Sequence, residues 1–136
     1  MSAPPEVPEI AAAWLRKAGH DLEAARRIPA VREDCPYDTV CFHCQQAAEK
    51  PLKAWMTASG QAAPKTHDLE PLYIAASATL NASLPPLAEI VSLNPYGVQV
   101  RYLDEWLEPS EDALRALAAA EAVHGQVQAA LHRLAR

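Results

Sequence analysis

A chain of 136 residues, half of them apolar, is long enough to fold as one domain around its own core, which excludes disorder throughout. The formal net charge of −5 disfavours extended nucleic-acid binding, because a protein that neutralises many phosphates needs a basic excess. No signal peptide or membrane span is expected, and the odd number of cysteines favours reduced thiols and a cytoplasmic location.

The first predicted helix follows an N-terminal segment, residues 1–8, that we expect to be disordered or extended. The helix begins at Pro8 or Glu9 and continues to Arg27, because apolar residues recur there at helical spacing. Pro29 is expected to stop it. From residue 9 to residue 136 the chain is predicted to form a single helical domain.

The second helix is predicted from Tyr37 to Ser59, with Gly60 in the left-handed conformation that often follows a helix. Pro51 lies inside this range. Because proline removes one backbone hydrogen bond, we expect one helix with a kink at this position. The third helix is predicted from Thr66, whose hydroxyl can cap the first turn, to about Leu80.

The segment before the last helix is irregular and rich in proline. It is predicted to hold a short helix around Leu87–Leu93, and Gly97–Leu103 is the one stretch that alternates as a strand would. The last helix begins near Ser110, and its apolar stripe is Leu117, Ala120, His124, Val127, Leu131 and Leu134. Since amphipathic helices bury their stripes against one another, the sequence predicts an all-α, up-and-down bundle of four main helices with a short extra helix or irregular segment before the last.

Three stretches of the chain resemble the HEPN family, the higher eukaryote and prokaryote nucleotide-binding domains. They are residues 14–25 (WLRKAGHDLEAA), 41–54 (CFHCQQAAEKPLKA) and 64–69 (PKTHDL), and the resemblance extends over residues 9–134. It implies a helical bundle that is usually dimeric and often encoded beside a minimal nucleotidyltransferase. Some members of the family are ribonucleases of toxin–antitoxin or defence systems, whereas others bind nucleotides or act as partner modules.

The ribonuclease members of the family share an arginine and a histidine separated by four to six residues, paired across a dimer cleft. No arginine of this chain is followed by a histidine with four to six residues between the two. Arg101 is followed instead by a run of carboxylates that would repel a phosphate backbone. The sequence therefore favours a protein without ribonuclease activity.

Candidate ligand-binding residues come from a polar strip of the second helix and from two later segments that the resemblance highlights. They are Gln46, Glu49, Lys50, Lys53, His67, Arg101 and Tyr102. Ammonium and guanidinium groups could hold a nucleotide phosphate or an acidic partner surface, and a tyrosine could stack on a base. The alternative is a solvated face or an intramolecular network that joins Glu49 to Arg101 and Asp21 to Lys50.

The histidines and cysteines are expected to have structural roles. His43 is expected to bond across the first two helices, His67 to cap or pack in the first turn of the third, and His124 to be a satisfied core or interface histidine. Cys41 and Cys44 fall inside a predicted helix with no second pair of metal ligands downstream, which disfavours zinc. We therefore expect no metal ion and no cofactor.

Two classes of function remain open, besides a helical bundle without any ligand. The leading hypothesis is a non-catalytic module that forms a homodimer and binds a cognate minimal nucleotidyltransferase, with a nucleotide as a further ligand, in a toxin–antitoxin or defence pair. The alternative is a metal-free ribonuclease toxin with an atypical active site, such as Arg101 paired with His67 or His43.

Overall fold

The computed structural model describes residues 7–31, 35–97 and 109–134. Within these ranges the secondary structure is helical, in the order α1 (Val7–Val31), α2 (Tyr37–Ala58), α3 (Leu69–Ser77), α4 (Leu87–Val91), a 3₁₀ turn (Asn94–Gly97) and α5 (Pro109–Leu134). This arrangement confirms the predicted all-α bundle of four main helices with a short helix before the last. The predicted strand, Gly97–Leu103, overlaps this turn at Gly97, and its other residues lie outside the described ranges.

Helix α1 is longer than predicted at both ends. It begins at Val7, so that the predicted extended segment is helical at Val7 and Pro8, and it continues through Pro29 to Val31. Pro8 is accommodated because the N–H groups in the first turn of a helix have no acceptor within the helix, so a missing N–H costs no hydrogen bond. The prediction that Pro29 stops the helix is wrong. In the last turn its ring interrupts the hydrogen-bond ladder only where the ladder is about to end.

Helix α2 lies at the centre of the bundle and packs mainly against α1 and α5. Most of its side chains from Val40 to Met56 are buried. The predicted single helix is confirmed, since α2 runs without a break through the buried Pro51.

The end of α2 has the form that Gly60 predicts. Gly60 has a φ of 82°, the left-handed conformation. Its N–H donates to the carbonyl of Thr57 at 3.2 Å, and the N–H of Gln61 donates to that of Met56 at 2.8 Å. These two bonds form a Schellman motif, which satisfies the last carbonyl groups of the helix.

Helix α3 begins at Leu69, three residues later than predicted, and ends at Ser77 rather than Leu80. The cap is Asp68, whose Oδ1 accepts a hydrogen bond from the N–H of Glu70 at 3.0 Å. The hydroxyl of Thr66 accepts a hydrogen bond from the N–H of Asp68 at 3.1 Å, before the helix begins. The capping prediction was therefore wrong in position, because the carboxylate of Asp68 takes the role assigned to Thr66.

The buried face of α5 is formed mainly by small residues: Ala113, Ala116, Ala119, Ala120, Val123, Val127 and Ala130. The predicted stripe lies partly beside this face, so that Leu117 and Leu131 are half-buried and Leu134 is 55% exposed. Alanine side chains allow the backbone of α5 to approach α2 closely. Larger leucines are consequently displaced to the margins of the contact.

His124 lies between α5 and α1, as expected for a satisfied histidine at a helix contact. Its ring is half-buried, and it hydrogen-bonds with the backbone of Leu15. Burial lowers the pKa of His124 below its ordinary value, because desolvation penalises the charged imidazolium.

The cysteines are not joined in a disulfide, and two of them belong to the core. Cys41 and Cys44 are buried, whereas Cys35, two residues before α2, is half-buried. Burial, followed by the charges of Cys41, Glu121 and Asp21, raises the pKa of the Cys44 thiol to about 12. Since the thiolate is the reactive form, Cys44 should be inert at neutral pH.

We expect iodoacetamide near pH 8 to label the native protein at Cys35 alone on a time scale of minutes. In urea all three thiols should react, because unfolding removes the burial that protects Cys41 and Cys44. Intact-mass spectrometry counts the labelled sites. Rapid labelling of Cys44 in the native protein would contradict the core position described here.

Candidate ligand-binding site

Three polar side chains of α2 are buried one helical turn apart. Gln45 is fully buried, Glu49 is 2% exposed and Lys53 is 7% exposed. The Nζ of Lys53 lies 3.0 Å from Oε2 of Glu49, and Nε2 of Gln45 donates to Oε1 of Glu49 at 3.3 Å. Charged groups are rarely buried to this extent unless they are paired, and here each charge has its partner one turn away on the same helix.

His67 completes the coordination of the Glu49 carboxylate. Its Nδ1 lies 3.0 Å from Oε1 and 3.1 Å from Oε2 of Glu49. Because an ionised carboxylate only accepts hydrogen bonds, Nδ1 carries the proton and the second nitrogen, Nε2, is left for another contact. The imidazole side chain is 75% exposed, so that a buried carboxylate holds an accessible ring. His67 precedes α3, which corrects the prediction that it lies in the first turn of this helix.

Gln45 links this cluster to two other segments of the chain. It accepts a hydrogen bond from Gln46 Nε2 at 2.6 Å and donates to the backbone carbonyl of His67 at 3.1 Å. The 3₁₀ turn lies against the same amide, since a Cβ atom at Gly97 would come within 2.8 Å of Gln45 Cδ. Gln45 was missing from the sequence-based candidates, although its four-residue spacing from Glu49 was visible.

A second polar cluster joins α1 to α2 around Asp21. Its Oδ1 lies 2.8 Å from Nδ1 of His43, and its Oδ2 accepts a hydrogen bond from Nζ of Lys50 at 2.5 Å. The side chain of Asp21 is only 11% exposed. These contacts confirm two predictions, the link from Asp21 to Lys50 and the bond of His43 across the first two helices.

The predicted ligand residues are therefore divided between two clusters. Lys53 and His67 each contact Glu49, and Gln46 joins them through Gln45, whereas Lys50 belongs to the Asp21 cluster. Arg101 and Tyr102 lie outside the described residues, as does the predicted contact of Arg101 with Glu49. Within the described ranges, no group of three or more histidine, cysteine or acidic side chains could hold a metal ion.

A cleft of about 280 Å³ opens beside the Glu49 cluster, between α1 and the segment that precedes α3. It is lined by Trp14, Lys53, Ala63, Pro64, Lys65 and His67. The Nζ of Lys53 lies 5.5 Å from the centre of the Trp14 ring, within the range of a cation–π contact. Trp14 and Lys65 were not among the predicted ligand residues, because only the tertiary structure brings them beside His67.

The chain is similar to known proteins both in sequence and in structure. The family model of the HEPN domain matches residues 11–129, most of the chain. The chain belongs to the HEPN domain family. This membership makes it a nucleotide-binding or ribonuclease-type module, and the resemblance found in the sequence is confirmed.

A crystal structure supports the same assignment. The HEPN chain is similar to TT1696 from Thermus thermophilus, with 28% sequence identity and a TM-score of 0.66. The match covers 87% of this chain and 95% of that one. No curated protein sequence matches this HEPN chain significantly. No helix in the described ranges is both long and apolar enough to cross a membrane.

Proposed function

We propose that this protein is a non-catalytic HEPN module that forms a homodimer and binds a cognate minimal nucleotidyltransferase, with a nucleotide as a further ligand. The setting that we propose is a toxin–antitoxin or defence pair in the cytoplasm. One observation carries the non-catalytic part of this proposal: both lysines of the α2 strip are neutralised by buried carboxylates. Lys50 is held by Asp21 and Lys53 by Glu49.

The pairing of these lysines matters because metal-free RNA cleavage needs a cation at the phosphate as well as a general base. A cation stabilises the charge that develops on the phosphorane, and it must be available to the substrate. In α2 each ammonium group is already bound to a carboxylate, so the four side chains together carry no net charge. The sequence also lacks the arginine and histidine spacing of the ribonuclease members.

The partner-binding part of the proposal is supported by apolar side chains that the bundle leaves uncovered. Leu114 is 69% exposed and Leu134 is 55% exposed on α5, and Ile10 on α1 is 37% exposed. Single exposed leucines are ordinary, but α5 carries the most regular apolar spacing of this chain. Burial of such side chains between two copies would stabilise a symmetric dimer.

Purified protein should not cleave single-stranded RNA above the background of a mock preparation, with or without divalent metal ions. The measurement is gel electrophoresis of an end-labelled oligonucleotide over several hours. Cleavage that co-purifies with the protein and disappears in Arg101→Ala would overturn the non-catalytic proposal.

A second candidate function, a ribonuclease with an atypical active site, is favoured by the contact between Glu49 and His67. A carboxylate that fixes one nitrogen of an exposed imidazole is the arrangement that orients a histidine as a general base. Under this alternative, His67→Gln should abolish RNA cleavage, whereas His43→Gln should retain it. Absence of cleavage by the wild-type protein would reject the alternative.

Self-association is tested by sedimentation velocity at micromolar concentrations, where we expect the wild-type protein to sediment as a dimer. Replacement of Leu134 by glutamate is expected to shift the equilibrium toward monomer, because it places a charge at an apolar, exposed position. A wild-type protein that remains monomeric throughout this range would contradict the homodimer. Copurification with the product of an adjacent nucleotidyltransferase gene tests the second partner.

A further inference from the structure

The cleft beside His67 combines features of an anion site that the polar strip of α2 does not have. Lys65 is exposed on its rim and makes no ion pair within the described residues. His67 presents an accessible ring whose Nδ1 is already occupied by Glu49. The ammonium group of Lys65 and Nε2 of His67 are therefore both available to a ligand in the same cleft.

The cleft also has an aromatic wall. Trp14 is half-buried and borders the cleft together with Lys53. An indole ring can stack on a nucleobase or another planar group, and tryptophan offers the largest aromatic surface for this kind of contact. The volume of about 280 Å³ lies near the lower limit of small-ligand pockets, about 300 Å³. A cleft of this size suits a small ligand.

The carboxylates nearest the cleft have partners other than Lys65. Glu49 is bound to Lys53 and His67, so its charge is balanced inside the cluster. Asp68, which follows His67, caps α3 through Glu70 and accepts a hydrogen bond from the side-chain amide of Asn94 at 2.9 Å. Lys65 thus gives the cleft a positive charge that no described carboxylate pairs with.

We propose that the cleft lined by Trp14, Lys65 and His67 binds the phosphate group of a small phosphorylated ligand. Lys65 donates to the phosphate oxygens, and the imidazole of His67, whose orientation Glu49 fixes, contacts the same phosphate through Nε2. When the ligand is a nucleotide, Trp14 contacts its base. This inference rests on the nucleotide-binding part of the proposed function. It places the phosphate in the cleft beside Lys53 and not on the α2 strip that the sequence predicted.

The test is titration of the full-length protein with inorganic phosphate, AMP and adenosine, followed by ¹⁵N-NMR. The indole N–H resonance of Trp14, assigned from Trp14→Phe, should shift with AMP. We expect Lys65→Ala to weaken AMP binding about tenfold or more, since one charge-assisted hydrogen bond is lost. His67→Gln should weaken it similarly. Arg27→Ala should bind normally, because this exposed arginine pairs with Glu23 and does not line the cleft.

The three ligands distinguish the source of the phosphate. Tighter binding of AMP than of inorganic phosphate supports a nucleotide site in which the base contacts Trp14, and equal binding supports a site that reads the phosphate group alone. Adenosine that binds as tightly as AMP overturns the inference. AMP binding that Lys65→Ala leaves unchanged also overturns it, while the nucleotide-binding part of the proposed function stands. If neither AMP nor phosphate binds at millimolar concentration, both fail.

Discussion

Replacement of Lys53 by methionine is expected to lower the free energy of unfolding by about 3 kcal/mol, although methionine nearly fills the same volume. The reason is that the side chain of Glu49 is only 3% exposed and would lose the ammonium group 3.0 Å away. A buried carboxylate without its counter-charge is costly even when His67 and Gln45 still contact it. Urea unfolding followed by circular dichroism measures the difference.

Two further variants separate charge from packing. In Glu49→Gln/Lys53→Met neither charge remains, so much of the lost stability should return, and the double-mutant cycle gives the coupling energy. The matched control is the exposed pair of Glu23 and Arg27, which has the same spacing and a 2.6 Å contact. There Arg27→Met should cost at most about 0.5 kcal/mol. Equal losses at Lys53 and Arg27 would contradict the buried ion pair.

Replacement of Leu72 by alanine is expected to destabilise the protein by about 3 kcal/mol, within the range of buried leucine truncations. Leu72 is fully buried, and it belongs to the short helix α3 together with the buried Leu69 and Ala76. Truncation removes apolar contacts and leaves a cavity in a segment of only nine residues. Thermal and urea unfolding both report the loss.

Ile74 is the matched control for Leu72 because it lies two residues away on the same helix and is 57% exposed. Replacement of Ile74 by alanine should change the free energy of unfolding by less than about 0.5 kcal/mol. A larger loss at Ile74 than at Leu72 would mean that α3 presents the opposite face to the core. The same result would place Ile74 in an interface, if it appeared only at concentrations where the protein self-associates.

The buried ion pair also changes how the α2 strip is interpreted. A substitution at Lys53 that weakens ligand binding would be ambiguous, because the same change is expected to destabilise the fold. Lys65 is exposed and pairs with no described carboxylate, so its side chain can be altered with less effect on the core. It is therefore the residue at which binding and folding can be measured separately.

The sequence by itself determined most of the helical architecture. Amphipathic spacing placed α2 and α5, and Gly60 marked the end of α2 because only glycine adopts a positive φ without strain. Local rules were less reliable at the ends of helices. Pro29 was predicted to stop α1, but this helix continues to Val31. Thr66 was predicted to cap α3, but Asp68 caps it.

Only the tertiary structure decided which polar residues lie together. The spacing of Glu49 and Lys53 placed them on one side of α2, yet it did not show whether that side faces water or protein. His67 lies 18 residues from Glu49 in sequence, and the cleft appears only where the segment before α3 approaches Trp14 on α1. Local propensity sets backbone conformation within a few residues. Burial and charge pairing depend on which distant segments pack together, because the favourable energy of an ion pair exists only when both groups lie within hydrogen-bond distance.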